Sequence, residues 1–132
     1  MSRARRRRFS GAARPAVIGE LRGAVAGFAA AAGFTGAALD DVRACVSEAV
    51  TNAVVHAFRD GPPGTVSADV ELTDRELLVR VSDDGIGFGP RHDSPGLGLG
   101  IPTIVAMSSA MTIDVSRTGG TEIRMAFARA PI

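Results

Sequence analysis

Apolar residues recur every three or four positions in two long stretches of the first half of the chain, a spacing typical of amphipathic helices. The first stretch predicts a helix over about 15–32, with Pro15 in its first turn. The second predicts a helix that starts within 36–41 and runs to about Phe58, where a segment rich in glycine and proline follows. Their apolar positions are Val17, Ile18, Leu21, Val25 and Phe28 in the first helix, and Val42, Cys45, Val46, Val50 and Val54 in the second.

Most of the remaining chain alternates apolar and polar residues with a period of two, as strands with one buried face do. The predicted strands form two hairpins, 66–72 with 77–81 and 111–115 with 123–127. A glycine-rich segment, 85–100, and a short helical pattern at about 100–108 lie between the hairpins. A short arginine-rich strand precedes the first helix.

This order of elements predicts an α/β fold. We expect a two-layer sandwich with a mostly antiparallel, mixed sheet that carries the helices on one face. The one-sided alternation along the strands argues against a parallel sheet buried on both faces. The 132 residues suit a single domain that spans 1–132.

The composition excludes several classes of protein. No apolar stretch approaches the roughly 20 residues of a membrane-spanning helix, and no apolar segment follows the basic start as in a secretion signal. These two features predict a cytoplasmic protein with no membrane partner. The lone Cys45 agrees with this, since it has no partner for an intrachain disulfide. All 15 basic residues are arginine, which excludes a phosphate-binding loop built around a lysine.

Five of the arginines lie within the first eight residues. A run of this kind can be an arm that binds nucleic acid, but no aromatic residues are interleaved here for base stacking. We favour a solvated terminus or an edge strand, and expect no direct contact with nucleic acid. The rest of the chain has ten arginines against fourteen acidic residues, so it is mildly acidic.

The second predicted helix carries a stripe of polar residues. Glu48, Asn52 and His56 are four residues apart, so they lie on one side of the helix, next to its apolar stripe. A buried polar group without a partner costs about 1–3 kcal/mol, so each of these groups needs a partner or a ligand. Any one of them alone suits an ordinary hydrogen bond at the edge of the core. For His56 we favour such a structural role, a cap or partner at the helix end.

A first glycine-rich motif follows a predicted strand. Asp83 lies at the strand end, and Gly85 and Gly87 follow at steps of two. This arrangement places a carboxylate beside backbone that leaves room for a flat ligand. A carboxylate accepts a hydrogen bond from an exocyclic amine, which suits adenine, although the motif alone is also compatible with a tight turn.

A second glycine-rich motif precedes a predicted helix. Gly96, Gly98 and Gly100 alternate with other residues directly before the helical pattern. Amide groups at a helix amino terminus are free to bind an anion, so this is the best candidate for a phosphate site. Alone, the motif is also compatible with a mobile loop.

Together and in this order, the three segments resemble the nucleotide-binding boxes of the GHKL, or Bergerat-fold, superfamily of ATPases and kinases. The segments read SEAVTNAVVH at 47–56, DDGIG at 83–87 and GLGLGI at 96–101. The first is most similar to the corresponding box of the bacterial anti-sigma factor serine/threonine kinases. The resemblance covers essentially the whole chain and implies ATP and Mg²⁺ as cofactors.

The resemblance implies a role for each residue of these motifs. Asn52 binds Mg²⁺ through its side-chain oxygen, and Glu48 is the catalytic base that orients or deprotonates a serine hydroxyl. Asp83 binds the adenine amino group. The glycines also contact the nucleotide, Gly85 and Gly87 beside the base and Gly96, Gly98 and Gly100 at the phosphates.

The resemblance also implies partners. Proteins of this kind phosphorylate a serine of an anti-sigma-factor antagonist, sequester a sigma factor when the antagonist is unavailable, and are expected to form homodimers.

Here only eight residues, 88–95, separate the two glycine motifs, fewer than in the lid of the resembling kinases. A short lid excludes water less well. An alternative is therefore a nucleotide-sensing module that switches protein partners without phosphoryl transfer. A detached histidine kinase catalytic domain is disfavoured, since neither the phospho-accepting helix nor the long lid is present.

Overall fold

The computed structural model describes residues 5–57, 64–84, 97–115 and 120–130. In chain order the elements are β1 (Arg5–Ala12), α1 (Pro15–Ala31), α2 (Gly36–Ala57), β2 (Thr65–Leu72), β3 (Glu76–Asp83), α3 (Leu97–Met107), β4 (Ala110–Val115) and β5 (Thr121–Ala128). The strands form one sheet in the order β1-β2-β3-β5-β4. The predicted α/β sandwich is confirmed, and every pairing in the described sheet is antiparallel, so this part of the sheet is not mixed.

Helix α1 has clear start and stop signals in the sequence. Pro15 occupies its first turn, where the missing N–H costs nothing. At the other end, Gly33 has a φ of 103°, a conformation that favours glycine. The N–H of Phe34 donates to the carbonyl of Ala29 at 3.0 Å, and that of Gly33 donates to Ala30 at 3.0 Å. These two bonds satisfy carbonyls that the helix end leaves free, so the helix stops where the sequence predicted.

The hydrophobic core lies between the helices and one face of the sheet. Helix α2 packs against α1 on one side and α3 on the other, and it crosses β2, β3 and β5. The predicted apolar stripe of α2 is buried throughout: Val42, Cys45, Val46, Val50 and Val54. The helix that carries the polar stripe is therefore the central element of the fold.

The start of α3 differs from the prediction. The helix begins at Leu97, three residues before the expected start at about Gly100. Gly98 and Gly100 therefore lie in its first turn and not in a loop before it. A glycine costs only about 1 kcal/mol in a helix, and the first turn needs no intrahelical acceptors for its N–H groups, so a glycine-rich segment can be helical here.

The face of the sheet away from the helices, hereafter the open face, carries a ladder of ion pairs. Arg8 contacts Asp69 at 2.7 Å, Arg80 lies 3.6 Å from both Asp69 and Glu122, and Arg124 contacts Glu122 at 2.6 Å. A groove of ≈610 Å³ runs over this face. Exposed ion pairs contribute little to stability individually. Their main effect is that the charges of the open face largely compensate one another.

Within the described residues, no helix is both long and apolar enough to cross a lipid bilayer.

A glycine in the middle of α1 offers a test of helix energetics. A Cβ added at Gly23 would meet no atom within 4 Å. We expect Gly23→Ala to raise the free energy of unfolding by about 0.5–1 kcal/mol, because alanine loses less conformational entropy in a helix. Urea denaturation measures this change. Gly11→Ala is the contrasting control and should lower stability, since its Cβ would lie 2.9 Å from Val17 Cγ2. A loss of stability in both variants would contradict the prediction.

Candidate functional site

Asn52 is a buried polar residue on the helix that faces the sheet. Its side chain is 6% exposed, and its Nδ2 atom has no hydrogen-bond partner among the described residues. Ala49 and Ala53, which flank it on the same side of α2, are small and buried, and all three residues face the strands. The polar stripe predicted on this helix therefore brings one carboxamide into the interior.

Asp83 and Thr121 approach Asn52 from the sheet. Asp83 is the last residue of β3 and Thr121 is the first of β5. The last pair between these strands is Ser82 with Glu122, so Asp83 and Thr121 are neighbours one step beyond it. Thr121 is 5% exposed, and its hydroxyl oxygen has no hydrogen-bond partner in the described part of the chain.

These side chains surround a small cavity between α2 and the end of the sheet. Its lining consists of Ala49, Asn52, Ala53, Val81, Asp83, Thr121 and Ile123. The cavity measures ≈10 Å³, about the smallest volume that holds one water molecule. Three polar side chains thus converge on one point, and the other described residues around it are apolar. We call this arrangement the α2–sheet site.

The unpartnered atoms of the α2–sheet site have an energetic cost. A buried donor or acceptor without a partner destabilises a protein by about 1–3 kcal/mol, and this site has two, on Asn52 and Thr121. A ligand or bridging water with donors and acceptors of its own would remove that cost. The carboxylate of Asp83 and the hydroxyl of Thr121 suit a base with an amino group and a ring nitrogen. The chemistry of these two side chains therefore matches the amino edge of adenine, and the cavity between them has room for about one water molecule.

The two adjacent acids Asp83 and Asp84 have different roles. Asp84 does not line the cavity; its Oδ1 accepts a hydrogen bond from the N–H of Thr65 at 2.7 Å. This bond ties the end of β3 to the start of β2, and a Cβ at Gly64 would collide with the Asp84 carboxylate. Of this pair, only Asp83 lines the α2–sheet site.

Gly120 brings the strand ends at the site close together. A Cβ at this position would overlap the backbone carbonyl of Asp83. The absence of a side chain lets the start of β5 lie directly against the end of β3, which positions Asp83 beside Thr121.

Glu48 lies one turn before Asn52 and is half-buried. It does not line the cavity. Its carboxylate and that of Asp41 add to the effect of burial, which comes first, and together they raise the pKa of the Cys45 thiol to about 11. The side chain of His56 lies outside the described part of the chain, so its proposed role as a helix-end cap stays a prediction.

Comparison with known proteins identifies the family. Residues 11–127 match the histidine kinase-like ATPase domain. The chain belongs to this family. It is 30% identical over 115 residues to the anti-sigma F factor of Clostridium novyi, an alignment that covers 79% of this chain and 80% of that protein. It is 38% identical over 76 residues to the serine-protein kinase RsbW of Listeria innocua, covering 58% of this chain and 48% of the kinase.

Solved structures share the fold of this histidine kinase-like ATPase domain. The RsbU and RsbW domains of a Mycobacterium tuberculosis protein match with a TM-score of 0.71 at 19% identity, over 93% of this chain and 31% of that one. The SiaB–SiaC complex of Pseudomonas aeruginosa matches with a TM-score of 0.60 at 19% identity, over 93% and 89%. With the family match, they confirm the GHKL resemblance read from the three motifs.

The glycines assigned to the nucleotide in this ATPase domain are only partly described. Gly85, Gly87 and Gly96 lie outside the described residues. Gly98 and Gly100 lie in the first turn of α3, whose leading N–H groups have no acceptor within the helix. Phosphate binding by these amides stays a prediction.

The described residues offer few ligands for a metal ion. Within the described ranges, no group of three or more His, Cys, Asp or Glu side chains could hold a metal ion. Mg²⁺ commonly takes only one or two protein ligands, together with phosphate oxygens and water. A single carboxamide oxygen at Asn52 fits that pattern.

Thr121 was not predicted from the sequence as a site residue. The sequence feature that could have indicated it is a polar residue in phase with the inward-facing positions of β5. The buried residues Ile123, Met125 and Phe127 occupy the next of these positions. A threonine at the start of a strand is common, and its burial becomes apparent only when β5 is placed beside β3.

Proposed function

We propose that this chain is an ATP-binding anti-sigma factor with serine/threonine protein kinase activity. It acts in the cytoplasm as a single domain over 1–132 and as a homodimer, phosphorylates a serine of an anti-sigma-factor antagonist, and controls a sigma factor by partner switching. Its relatives support this assignment, since one is named an anti-sigma F factor and another a serine-protein kinase.

The observation that carries the proposal is the convergence of Asn52, Asp83 and Thr121 on one cavity. Two of the three bear buried polar atoms without partners in the described structure. The edge of a bound base or a bridging water would supply the acceptor that Asn52 Nδ2 lacks and a partner for the Thr121 hydroxyl, and Asn52 Oδ1 would stay available to a metal. Without a ligand, burying these groups would only destabilise the fold.

Each side chain then has a defined task. Asp83 accepts a hydrogen bond from the adenine amino group, and Thr121 bonds the adjacent edge of the base directly or through a water in the cavity. Asn52 holds the metal through its Oδ1 atom. Mg²⁺ would neutralise charge on the phosphates and so favour phosphoryl transfer.

Glu48 is placed to act on the incoming hydroxyl and not on the base. It lies four residues before Asn52, about 6 Å along the helix axis, and outside the cavity that surrounds the adenine-binding groups. Because Glu48 is only partly buried, a serine hydroxyl presented at the surface could reach it and donate a hydrogen bond or a proton to its carboxylate. Its separation from the adenine end is what a phosphoryl acceptor site requires.

A second candidate function follows from the short segment 88–95. With so few residues between the glycine motifs, water is excluded less well from the phosphates. A module with this feature can bind ATP or ADP and exchange protein partners without transferring phosphate. The two functions differ in whether Glu48 is needed.

Replacement of Glu48 distinguishes the kinase from the nucleotide-sensing module. We expect Glu48→Gln to lower the rate of phosphoryl transfer by about 100-fold or more, because a general base typically contributes 10²–10⁴-fold. The affinity for ATP should change by less than about threefold, since the residue lies outside the cavity. Transfer of labelled phosphate to each purified antagonist of the source genome measures the first quantity, and calorimetry measures the second.

Glu20→Gln is the matched control, because Glu20 is an exposed carboxylate on α1, and it should change neither quantity. If Glu48→Gln transfers phosphate as fast as the wild type, Glu48 is not the base. If the wild type binds ATP and exchanges partners but transfers no phosphate to any antagonist, the sensing module is the correct function.

A further inference from the structure

A groove separates the edge strand β1 from helix α1, at a distance from the α2–sheet site. Its volume is ≈590 Å³. Its lining consists of Arg5, Arg6, Arg7, Phe9, Gly27, Phe28 and Ala31. We call it the β1–α1 groove. Arg5 pairs with Leu72, which in turn pairs with Leu77. Since Leu77 precedes Asp83 by six residues, about 20 Å along β3, the groove and the nucleotide site occupy different ends of the sheet.

The arginines of β1 divide between the two faces of the sheet. Arg6 and Arg8 lie on the open face, where Arg6 contacts Glu71 at 3.3 Å and Arg8 contacts Asp69. Asp69 also raises the pKa of the Arg8 guanidinium, chiefly through their hydrogen bond. These two arginines therefore have their charges compensated within the chain.

Arg5 and Arg7 lie on the helix side of β1, and the described part of the chain offers them no such compensation. They pair in register with the buried residues Leu72 and Val70. Neither guanidinium forms an ion pair within the described residues. Each lies instead 5.4 Å from the centre of an aromatic ring, Arg5 at Phe28 and Arg7 at Phe9. The groove thus combines two uncompensated positive charges with two phenyl rings.

The strand that forms one wall of the groove is also a sheet edge. β1 pairs with β2 along one side, and in the described sheet no strand pairs with its other side. Arginines at an edge discourage unwanted strand pairing, and this is their simplest role. Such protection requires only exposed charge. It does not require a groove with aromatic walls, and it leaves the edge open to a partner of opposite charge.

We propose that the β1–α1 groove binds an extended acidic segment of a partner protein, which adds to β1 as a sixth strand. The backbone of the segment pairs with the free edge of β1, as in other complexes formed by strand addition. Alternate side chains of a strand share one face, so acidic residues two positions apart meet Arg5 and Arg7 together. The proposal does not rest on the proposed kinase activity.

A protein segment suits these charges better than a nucleic acid does. Binding to a duplex depends on neutralising many phosphates. Here the open-face arginines are already paired with acids, and only Arg5 and Arg7 are uncompensated in the described strand. Two charges beside a free strand edge match a short acidic strand.

The probe is a fluorescent octapeptide of alternating glutamate and valine, which is as long as β1 and has all its carboxylates on one face. We expect the full chain to bind it at low ionic strength, with hydrogen exchange of the β1 amides slowed in the complex. The double variant Arg5→Glu/Arg7→Glu should weaken binding at least about tenfold. The control Arg43→Glu/Arg75→Glu makes the same charge change at exposed sites outside the groove and should reduce binding far less.

A steric test uses two glycines of α1. Gly27 lines the groove, whereas Gly23 lies one turn away and does not, and a Cβ at either meets no atom within 4 Å. Gly27→Leu should therefore block the peptide, and Gly23→Leu should not. A neutral peptide of alternating glutamine and valine is the control for charge, and the proposal is wrong if it binds with the same affinity as the glutamate peptide. The proposal is also wrong if neither Gly27→Leu nor the double charge reversal weakens binding. If the chain binds a DNA duplex more tightly than the peptide, and the double charge reversal abolishes this binding, then the proposal is wrong and β1 is a nucleic-acid arm.

Discussion

Asp83→Asn is expected to weaken the binding of ATP and ADP by about 100-fold, equivalent to about 3 kcal/mol. The carboxylate lines the α2–sheet site, and in the proposed function it accepts a hydrogen bond from the amino group of the base. Asparagine removes the charge and can turn an NH₂ group towards the ligand, so two donors face each other. Calorimetry with and without Mg²⁺ measures the loss of affinity, which should be the same in both conditions because the proposed contact of Asp83 is with the base and not with the metal.

Asp84→Asn is the matched control for this variant. Asp84 is the neighbouring acid, and its carboxylate oxygen accepts from the Thr65 N–H, a bond that an asparagine oxygen can also accept. Nucleotide affinity should change by less than about threefold. If the two variants weaken binding equally, Asp83 has no specific contact with the base, and the assignment of adenine to this site is wrong.

Thr121→Val is expected to have opposite effects on stability and on binding. Valine has nearly the same shape as threonine but lacks the hydroxyl, which has no hydrogen-bond partner in the described structure. The free energy of unfolding without nucleotide should rise by about 1 kcal/mol, because an unsatisfied buried oxygen is removed. The affinity for ATP should fall by about tenfold, because the contact with the base is lost. Urea denaturation and calorimetry give the two values.

The sign of the stability change is decisive for Thr121. If Thr121 served only the fold, Thr121→Val would lower the free energy of unfolding, and the affinity for nucleotide would fall together with it. Thr112→Val, at an exposed position on β4, controls for the general effect of exchanging a threonine hydroxyl for a methyl group in the sheet. For Thr112→Val, the changes in the free energy of unfolding and in the affinity for ATP should both be small.

Local pattern was enough to predict the elements of this fold. Helices α1 and α2 and both hairpins follow from periodicity and from the residues that stop them, such as Gly33. Spacing also placed Asn52 beside the apolar stripe of its helix, whereas its burial became apparent only from the packing of α2 against the sheet. The elements and the spacing depend on residues that are close in sequence.

The rest of the site depends on contacts between distant residues. Thr121 lies beside Asp83 only because β5 pairs with β3, and no local spacing reveals that pairing. Likewise, the need for glycine at Gly120 comes from the carbonyl of Asp83, 37 positions earlier in the chain. The early start of α3 arises from a different cause. Glycine weakens a helix too little to mark its boundary reliably.

The burial of Cys45 makes helix α2 report on its own movements. The thiol is fully enclosed and its pKa is about 11, so at neutral pH it is neither accessible to a reagent nor ionised. A thiol reagent reaches it only when α2 separates from its neighbours. The chain has a single cysteine, and it lies one turn before Glu48 and two before Asn52. The rate at which the reagent labels Cys45 therefore measures how often α2 opens beside the proposed nucleotide-binding residues, with no engineered cysteine in the protein.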